Sequence, residues 1–320
     1  RCWPAIQNHE IRDAGFPPMR SPLLLLPILS GVMWGTSGIF VRDLSDHGLD
    51  NFTIVFAREI LAAVMVLSVI LLTDRDMLRI KRRDAWVFVV CGLSMVGINV
   101  FYTVSVDRVS LSLAAVLLGL SPVFMLIMAR VIFKERITRR KLACMFASIV
   151  GCVLLSGVLE SGSDVSASGI AAGLAASVCY ALYGIMSKRA GSDGYGTYTI
   201  LFYSLIISSL VVLPFSDLGA ISDYVSNGPS YLAYLVFQAA VATFLPYILY
   251  NTAIARIEVG TASILAACGE PTAAAVFGLL LFAEVPSPLM LLGMALAIAS
   301  IAVMCMPSDR RHPESADAGE

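Results

Sequence analysis

The chain has 320 residues, of which 58% are hydrophobic and only 14% are charged, whereas a typical soluble domain has about 25% charged residues. Its net charge of -1 hides an uneven placement of charges, so it argues neither for nucleic acid nor for an acidic partner, and we expect no nucleic acid. The seven cysteines occur singly, without a CxxC pair or a Cys/His cluster, which argues against a zinc site or a disulfide framework.

Ten stretches are apolar and long enough to cross a bilayer, at about 20 residues for each membrane-spanning helix. A polar leader precedes them, and we expect the first span to be retained because no small-residue cleavage site follows it. The sequence thus predicts an all-α membrane protein with ten transmembrane helices. In chain order the predicted spans are 22–41, 52–72, 85–105, 109–129, 142–159, 169–187, 197–215, 230–252, 259–282 and 287–306.

Lysine and arginine residues are distributed unevenly between the two sides of the predicted membrane. Of 22 such residues, Arg42 and Arg108 fall on one side and Arg58 falls inside a span, which leaves 19 on the side of the N-terminus. Most of this excess comes from two clusters, within residues 75–83 and 130–141. By the positive-inside rule, we expect both termini in the cytoplasm. The short loops and the missing targeting segment favour the cytoplasmic (inner) membrane as the location.

The sequence contains two related halves of five predicted helices each. Because five is an odd number, the second half is expected to enter the membrane inverted relative to the first, which is typical of secondary transporters. An offset of 146 residues aligns 34–39 with 180–185. An offset of 149 residues aligns Pro122 with Pro271 and Glu135 with Glu284. The predicted organisation is a leader (1–21), a first repeat (22–160), a linker (161–168), a second repeat (169–306) and a cytoplasmic tail (307–320).

Certain residues recur at set places in this pattern. The first span contains Trp-Gly-Thr-Ser at 34–37, the second contains Arg58, and each half closes on a proline with a glutamate thirteen residues later. With these features, nearly the whole chain after Met19 resembles the EamA family of the drug/metabolite transporter superfamily. The resemblance implies a ten-helix bundle that works by alternating access, with a cavity lined mainly by helices 1, 3, 4, 6, 8 and 9. One departure is Ser300, which stands where the first half has Gly151 and is expected to loosen packing.

Three ionisable side chains lie well inside the predicted spans: Arg58, Glu59 and Glu270. A charge placed within a membrane costs about 2.5–3.5 kcal/mol, so such residues are candidates for function. Arg58 either holds a substrate carboxylate or locks the second span in the bundle, and both alternatives stay open. Glu59 is expected to be structural and to share no partner with Arg58, because adjacent helical residues point in different directions. Glu270, beside the helix-distorting Pro271, is a candidate for substrate binding and for proton coupling.

Several uncharged polar and aromatic side chains fall in the spans expected to line the cavity. An apolar pocket with a few placed polar groups is the usual form of a small-ligand site, although aromatic residues also fill cores. Glu135 and Glu284 are expected to be structural residues at helix ends on opposite faces of the membrane. The full predicted substrate site is Trp34, Arg58, Asn99, Tyr102, Tyr180, Tyr183, Gln238, Tyr250 and Glu270.

The family resemblance and the repeat together predict a secondary transporter of small metabolites, with amino acids or related compounds exported or exchanged. Drugs or other metabolites are an alternative substrate class, and an intramembrane enzyme is a weaker alternative because no HExxH or GxSxG motif occurs. No GxxxxGK[ST] loop for direct ATP hydrolysis is present. We expect no catalytic residue, metal or cofactor. The expected partners are a small molecule and the lipid bilayer. Whether transport is coupled to protons, and whether the protein is a monomer or a homodimer, stay open.

Overall fold

The computed structural model describes residues 22–109, 111–156, 158–159, 166–282 and 287–306. The predicted leader and tail, most of the linker and Glu284 lie outside these residues. Within them, the regular structure is helical. The α-helices are α1 (Leu25–Gly35), α2 (Ser37–Asp46), α3 (Asn51–Thr73), α4 (Ala85–Val106), α5 (Leu111–Leu118), α6 (Ser121–Ile132), α7 (Arg139–Leu155), α8 (Ala167–Ser192), α9 (Thr197–Val212), α10 (Leu218–Ser226), α11 (Pro229–Ala239), α12 (Leu245–Ile254), α13 (Val259–Phe282) and α14 (Pro288–Cys305).

Nine helical stretches in the described part of the chain are long and apolar enough to cross a membrane, and each coincides with one of the predicted spans. The helices α1 and α2 form the first, α5 and α6 the fourth, and α11 and α12 the eighth. The remaining prediction, 142–159, coincides with α7, which has 17 residues and is one residue shorter than α14. Because α7 packs along α14, it completes a bundle of ten helical crossings.

Contacts between the two halves come in matched pairs: when each crossing is replaced by its counterpart in the other half, one observed contact becomes another observed contact. The first crossing packs on the ninth (α1 on α13), and the sixth packs on the fourth (α8 on α5 and α6). Likewise the third packs on the sixth (α4 on α8), and the eighth packs on the first (α12 on α1). The second and seventh crossings (α3 and α9), and the fifth and tenth (α7 and α14), pack directly on each other. This exchange is the pattern expected of two related repeats around an approximate two-fold axis.

The crossings differ in how they are interrupted. In the first half, Pro122 lies in the first turn of α6, where a missing N–H group is tolerated, and a break separates α6 from α5. In the second half, Pro271 lies inside the continuous helix α13. The eighth crossing contains a π-helical turn, Ala240–Phe244, just before Pro246. Such turns shift the face that the following residues present and are frequent at functional sites.

Glycines allow the backbones to approach closely at two helix contacts. A Cβ at Gly31 of α1 would overlap the carbonyl group of Ala266 in α13. Gly151 of α7 and Gly293 of α14 face each other in the same way. The expectation that Ser300 would loosen packing is wrong, because this serine is buried and its hydroxyl donates to the Cys144 carbonyl oxygen across the α7–α14 contact at 3.2 Å.

Candidate functional site

The charged residues of α3 are joined to α4 by a single asparagine. Asn99 accepts a hydrogen bond at Oδ1 from Arg58 Nη2, at 3.0 Å, and donates from Nδ2 to Glu59 Oε1, at 3.2 Å. The expectation that the adjacent Arg58 and Glu59 share no partner is therefore wrong. An amide presents a donor and an acceptor on one group, so it satisfies both charged side chains at once.

This triad leaves hydrogen-bonding capacity unused. Arg58 Nε and Glu59 Oε2 are buried and have no hydrogen-bond partner among the described residues. Glu59 is only 1% exposed, whereas Arg58 and Asn99 are half-buried. A buried polar atom without a partner costs about 1–3 kcal/mol. Asn99 therefore holds Arg58 in place, while Arg58 stays partly accessible and keeps N–H groups without a hydrogen-bond partner.

Aromatic side chains from three crossings form a cluster beside the triad. The Trp34 ring lies 6.0 Å from the Tyr180 ring, 5.1 Å from the Tyr247 ring and 5.5 Å from the Tyr250 ring. The Tyr183 ring joins through Tyr247, at 5.4 Å. Three of these pairs are edge-to-face and the Trp34–Tyr250 pair is tilted. Aromatic pairs add about 0.5–1.5 kcal/mol each beyond area burial, so the cluster forms a packed aromatic wall.

Glu270 lies near the aromatic cluster. The Tyr247 hydroxyl is within electrostatic range of Arg58, Glu59 and Glu270, and the Tyr102 and Tyr180 hydroxyls are also within range of Glu270. In the described part of the chain, the half-buried Glu270 carboxyl has no hydrogen-bond or ion-pair partner.

The structure therefore brings together eight of the nine predicted site residues. Gln238, the ninth, is buried in α11, a helix that packs on α3, and its Oε1 atom has no hydrogen-bond partner among the described residues.

Two further residues of the cluster were missed by sequence reasoning. Tyr247 contacts both Trp34 and Tyr183, and the Asn251 amide donates to the Tyr183 hydroxyl at 2.9 Å. Both follow the π-helical turn and share a helix face with Tyr250, at the i, i+3 and i+4 positions. That spacing is visible in the sequence and is the signal that could have found them.

A second polar network closes the bundle at the end where residues 75–83 and 130–141 concentrate basic side chains, which we call the basic end. Glu135 Oε1 accepts from Lys188 Nζ and from the Val259 backbone N–H, both at 3.0 Å. Lys188 Nζ also donates to the Ile257 carbonyl oxygen at 2.8 Å. These bonds connect the segment after α6 with α8 and the α12–α13 loop, so they join the two halves.

The basic-end network extends to α7 and to a tyrosine. Lys141 Nζ lies 3.8 Å from Glu135 Oε2 and 2.8 Å from Glu258 Oε2. The Tyr195 hydroxyl, in the α8–α9 loop, donates to Asp84 Oδ2 at 2.8 Å. Desolvation raises the pKa of Tyr195, and the Asp84 carboxylate raises it further, so this hydroxyl stays protonated and keeps donating.

The described residues contain no group of three or more His, Cys, Asp or Glu side chains that could hold a metal ion. Their arrangement is instead suited to noncovalent recognition. A cation, a separate carboxyl and an aromatic wall lie between two packed repeats, and a network of buried ion pairs seals one end. Ligand sites in repeat-built membrane proteins lie at such an interface.

Comparison with known protein families decides the classification. The model of the EamA-like transporter family matches this chain twice, over residues 21–157 and again over residues 167–306. The chain belongs to the EamA-like transporter family. It is accordingly a multi-pass membrane protein and a transporter of this family, whose members are transporters and not enzymes.

Named relatives of this EamA-like protein are also transporters. It is 29% identical over 211 residues to the threonine/homoserine exporter RhtA of Escherichia coli K12, covering 65% of this chain and 67% of that protein. It is 25% identical over 284 residues to an uncharacterized transporter of Archaeoglobus fulgidus, covering 86% and 93%. A protein of known crystal structure shares the fold, with a TM-score of 0.73 and 17% identity over 88% of this chain and 95% of the other.

Proposed function

We propose that this EamA-like protein moves amino acids or related small metabolites across the cytoplasmic membrane by alternating access, in export or exchange. The observation that carries the proposal is the placement of a half-buried cation, Arg58, and a half-buried carboxyl, Glu270, around Tyr247 between the repeats. An amino acid presents the two opposite charges. The threonine/homoserine exporter RhtA, a relative at 29% identity, supports the same substrate class.

Arg58 is suited to hold the substrate carboxylate. A guanidinium group has five N–H donors in a planar fork, and Asn99 takes only one of the bonds that this fork can make. The unpartnered Nε atom and the remaining donors can therefore bind a carboxylate through paired hydrogen bonds. In this role Asn99 orients the fork, and Glu59 balances its charge when no substrate is bound.

Glu270 is suited to bind the substrate ammonium group or to carry a proton. Its carboxyl has no partner in the described part of the chain and lies on α13 immediately before Pro271. A proline inside a helix removes one backbone hydrogen bond, which leaves a carbonyl oxygen one turn earlier available. One carboxyl that alternately binds an ammonium group and a proton would couple export to proton entry.

The two polar regions support alternating access. Arg58 and Glu270 keep partial exposure, while Glu135 and Lys141 at the basic end are buried and ion-paired. We assign this conformation as closed at the basic end, and the excess of lysine and arginine favours a cytoplasmic location for that end. Substrate entry from the cytoplasm then requires the bonds of Glu135 and Lys188 to break.

An organic cation is the second candidate substrate. The aromatic wall of Trp34, Tyr180 and Tyr247 lies near two carboxyl groups, and aromatic faces attract cations by about 0.5–2 kcal/mol each. Such a substrate would need Glu270 and the aromatic rings but not Arg58. The response of each substrate class to substitution at Arg58 therefore separates the two candidates.

The test is counterflow and uptake in proteoliposomes with labelled threonine, homoserine and a quaternary ammonium compound, with and without an imposed pH gradient. We expect the amino acids to accumulate only with the gradient. We expect Glu270→Gln to lose this gradient-driven accumulation by at least about tenfold, because it cannot exchange a proton. If only the quaternary ammonium compound moves, the amino-acid proposal is contradicted and the organic cation becomes the proposed substrate. If Glu270→Gln still accumulates amino acids with the gradient, Glu270 is not the proton-coupling residue.

A further inference from the structure

A half-open cavity of about 160 Å³ lies at the basic end, between the last turns of α8, the start of α9 and the end of α12. A single water needs roughly 10–15 Å³ on this scale, so the cavity has room for a molecule of amino-acid size. None of the nine residues predicted for the central site lines it. The cavity is therefore distinct from the triad on α3 and α4, and of the residues in the aromatic cluster it shares Asn251.

One wall of this basic-end cavity attracts negative charge. Gly196 caps the 16-residue helix α9 and has no side chain to bind the free N–H groups of its first turn. Those groups carry a partial positive charge, which makes a helix start a site for anions. Arg256 lines the opposite side of the cavity, is exposed, and forms no hydrogen bond or ion pair within the described part of the chain.

The inner wall supplies the complementary acceptor. Asn251 is 2% exposed and lines the cavity, and its Nδ2 atom donates to the Tyr183 hydroxyl. Its Oδ1 atom is buried without a hydrogen-bond partner. Since an unpaired buried acceptor costs about 1–3 kcal/mol, a ligand that donates a hydrogen bond there is favoured. Thr197 and Thr252, whose hydroxyl oxygens are 3.5 Å apart, line the space between Asn251 and Arg256.

The cavity also connects the central site with the closing network. Asn251 reaches the aromatic wall through Tyr183, whose ring contacts Tyr247. On the other side, Arg256 precedes Ile257, the residue whose carbonyl oxygen is held by Lys188. A ligand in this cavity would touch the loop that must move when the basic end opens.

We propose that this cavity is a second substrate subsite, in which an amino acid entering from the basic end docks before that end opens. Its carboxylate binds Arg256 and the start of α9, and its ammonium group donates to Asn251 Oδ1. This assignment rests on the proposed function for the class of substrate. Binding of the carboxylate draws Arg256, and with it the α12–α13 loop, toward α9, so docking strains the bond between Lys188 and Ile257.

Occupancy of the subsite can be measured without transport, by protection of a cysteine placed in the cavity. Gly191 lines it, and a Cβ there would lie 4.0 Å from the nearest atom, so Gly191→Cys fits. In purified protein in nanodiscs, we expect threonine to slow maleimide labelling of this cysteine at least fivefold. Its decarboxylated analogue, 1-amino-2-propanol, should protect less than twofold. The unsubstituted chain gives the background from the native cysteines.

Arg256→Gln in the Gly191→Cys protein is expected to remove the protection by threonine, and Arg256→Lys to restore part of it. Because Arg256 is exposed, neither change should affect folding. Equal protection by the two compounds, or protection that survives Arg256→Gln, would overturn the subsite. So would an absence of protection in a protein that transports threonine. Protection without transport would support the subsite and would contradict the proposed function.

A second pair of variants tests the anion position itself. Gly196→Asp and Gly196→Asn both cap α9, but only the aspartate places a carboxylate where the substrate carboxylate is expected. In the Gly191→Cys protein, we expect Gly196→Asp to raise the threonine concentration that gives half-maximal protection about tenfold. Gly196→Asn should raise that concentration less than threefold. Equal effects of the two caps would contradict a carboxylate site at this end.

Discussion

The triad in the middle of the bundle and the network at the basic end both combine basic side chains with glutamates but differ in how their charges are paired. At the basic end each lysine forms an ion pair with a glutamate, and Glu135 Oε2, although it has no hydrogen bond, lies 3.8 Å from Lys141 Nζ. In the triad Arg58 and Glu59 each keep a buried atom without a hydrogen-bond partner, and Arg58 stays partly accessible.

Direct pairing of opposite charges separates a closing contact from a binding site. A buried network in which each charge lies against an opposite charge stabilises one conformation, and its ion pairs must be broken for the protein to leave that conformation. An incompletely paired group costs free energy until a ligand supplies the missing partner. The comparison predicts that substitutions in the triad affect transport most, and that substitutions at the basic end affect conformation most.

Substitution of Arg58 should have the largest effect on transport. We expect Arg58→Gln to lower kcat/KM for the amino-acid substrate roughly 100-fold or more, because the carboxylate loses its paired donors. It should also destabilise the protein by about 3–5 kcal/mol if Glu59 stays ionised, since a buried charge then has no counter-charge. Transport is measured in proteoliposomes and stability by thermal unfolding.

The double variant Arg58→Gln/Glu59→Gln separates the two roles that the sequence left open for Arg58. Removing both charges should restore most of the stability lost by Arg58→Gln, because no unpaired charge remains. If Arg58 binds substrate, transport stays lost. Recovery of transport together with stability would mean that Arg58 only balances Glu59.

Opening of the basic end should show an effect of intermediate size. Lys188→Met removes the donor to Glu135 and to the Ile257 carbonyl oxygen, which should weaken closure by about 1.5–3 kcal/mol. Cys91, which is fully buried and lies 3.9 Å from the Ser187 hydroxyl, is a native reporter at this end. We expect its labelling by an aqueous thiol reagent to rise about tenfold or more. Cys91→Ala is the control that identifies the signal, and unchanged labelling would show that Lys188 does not hold this end closed.

The smallest effect is expected at the rim of the same network. Glu258 pairs with Lys141 at 2.8 Å, but its side chain is 51% exposed. Pairs accessible to water contribute about 0–1 kcal/mol, so Glu258→Gln should change the unfolding temperature and Cys91 labelling very little. A response as large as that of Lys188→Met would show that the network acts through its exposed charges.

The eighth crossing shows how far sequence reasoning reached into the candidate site. Tyr250 was predicted from its position in an apolar span, yet Tyr247 and Asn251 on the same helix face were not. Their orientation depends on the π-helical turn at Ala240–Phe244, which adds a residue to one turn and rotates everything after it. Hydrophobicity does not report such a turn, because apolar residues occur on every face of this crossing.

The sequence by itself determined the class of protein, the ten crossings and the presence of two related halves. Those properties follow from the length of apolar runs and from repeated residues, which are local features of the chain. Only the tertiary structure decided that Asn99 joins Arg58 to Glu59, that Glu135 bonds to Lys188, and that α9 and α12 enclose a cavity with Arg256. These contacts join residues 40 or more positions apart, and their geometry depends on helix rotation and crossing angle, which side-chain packing sets.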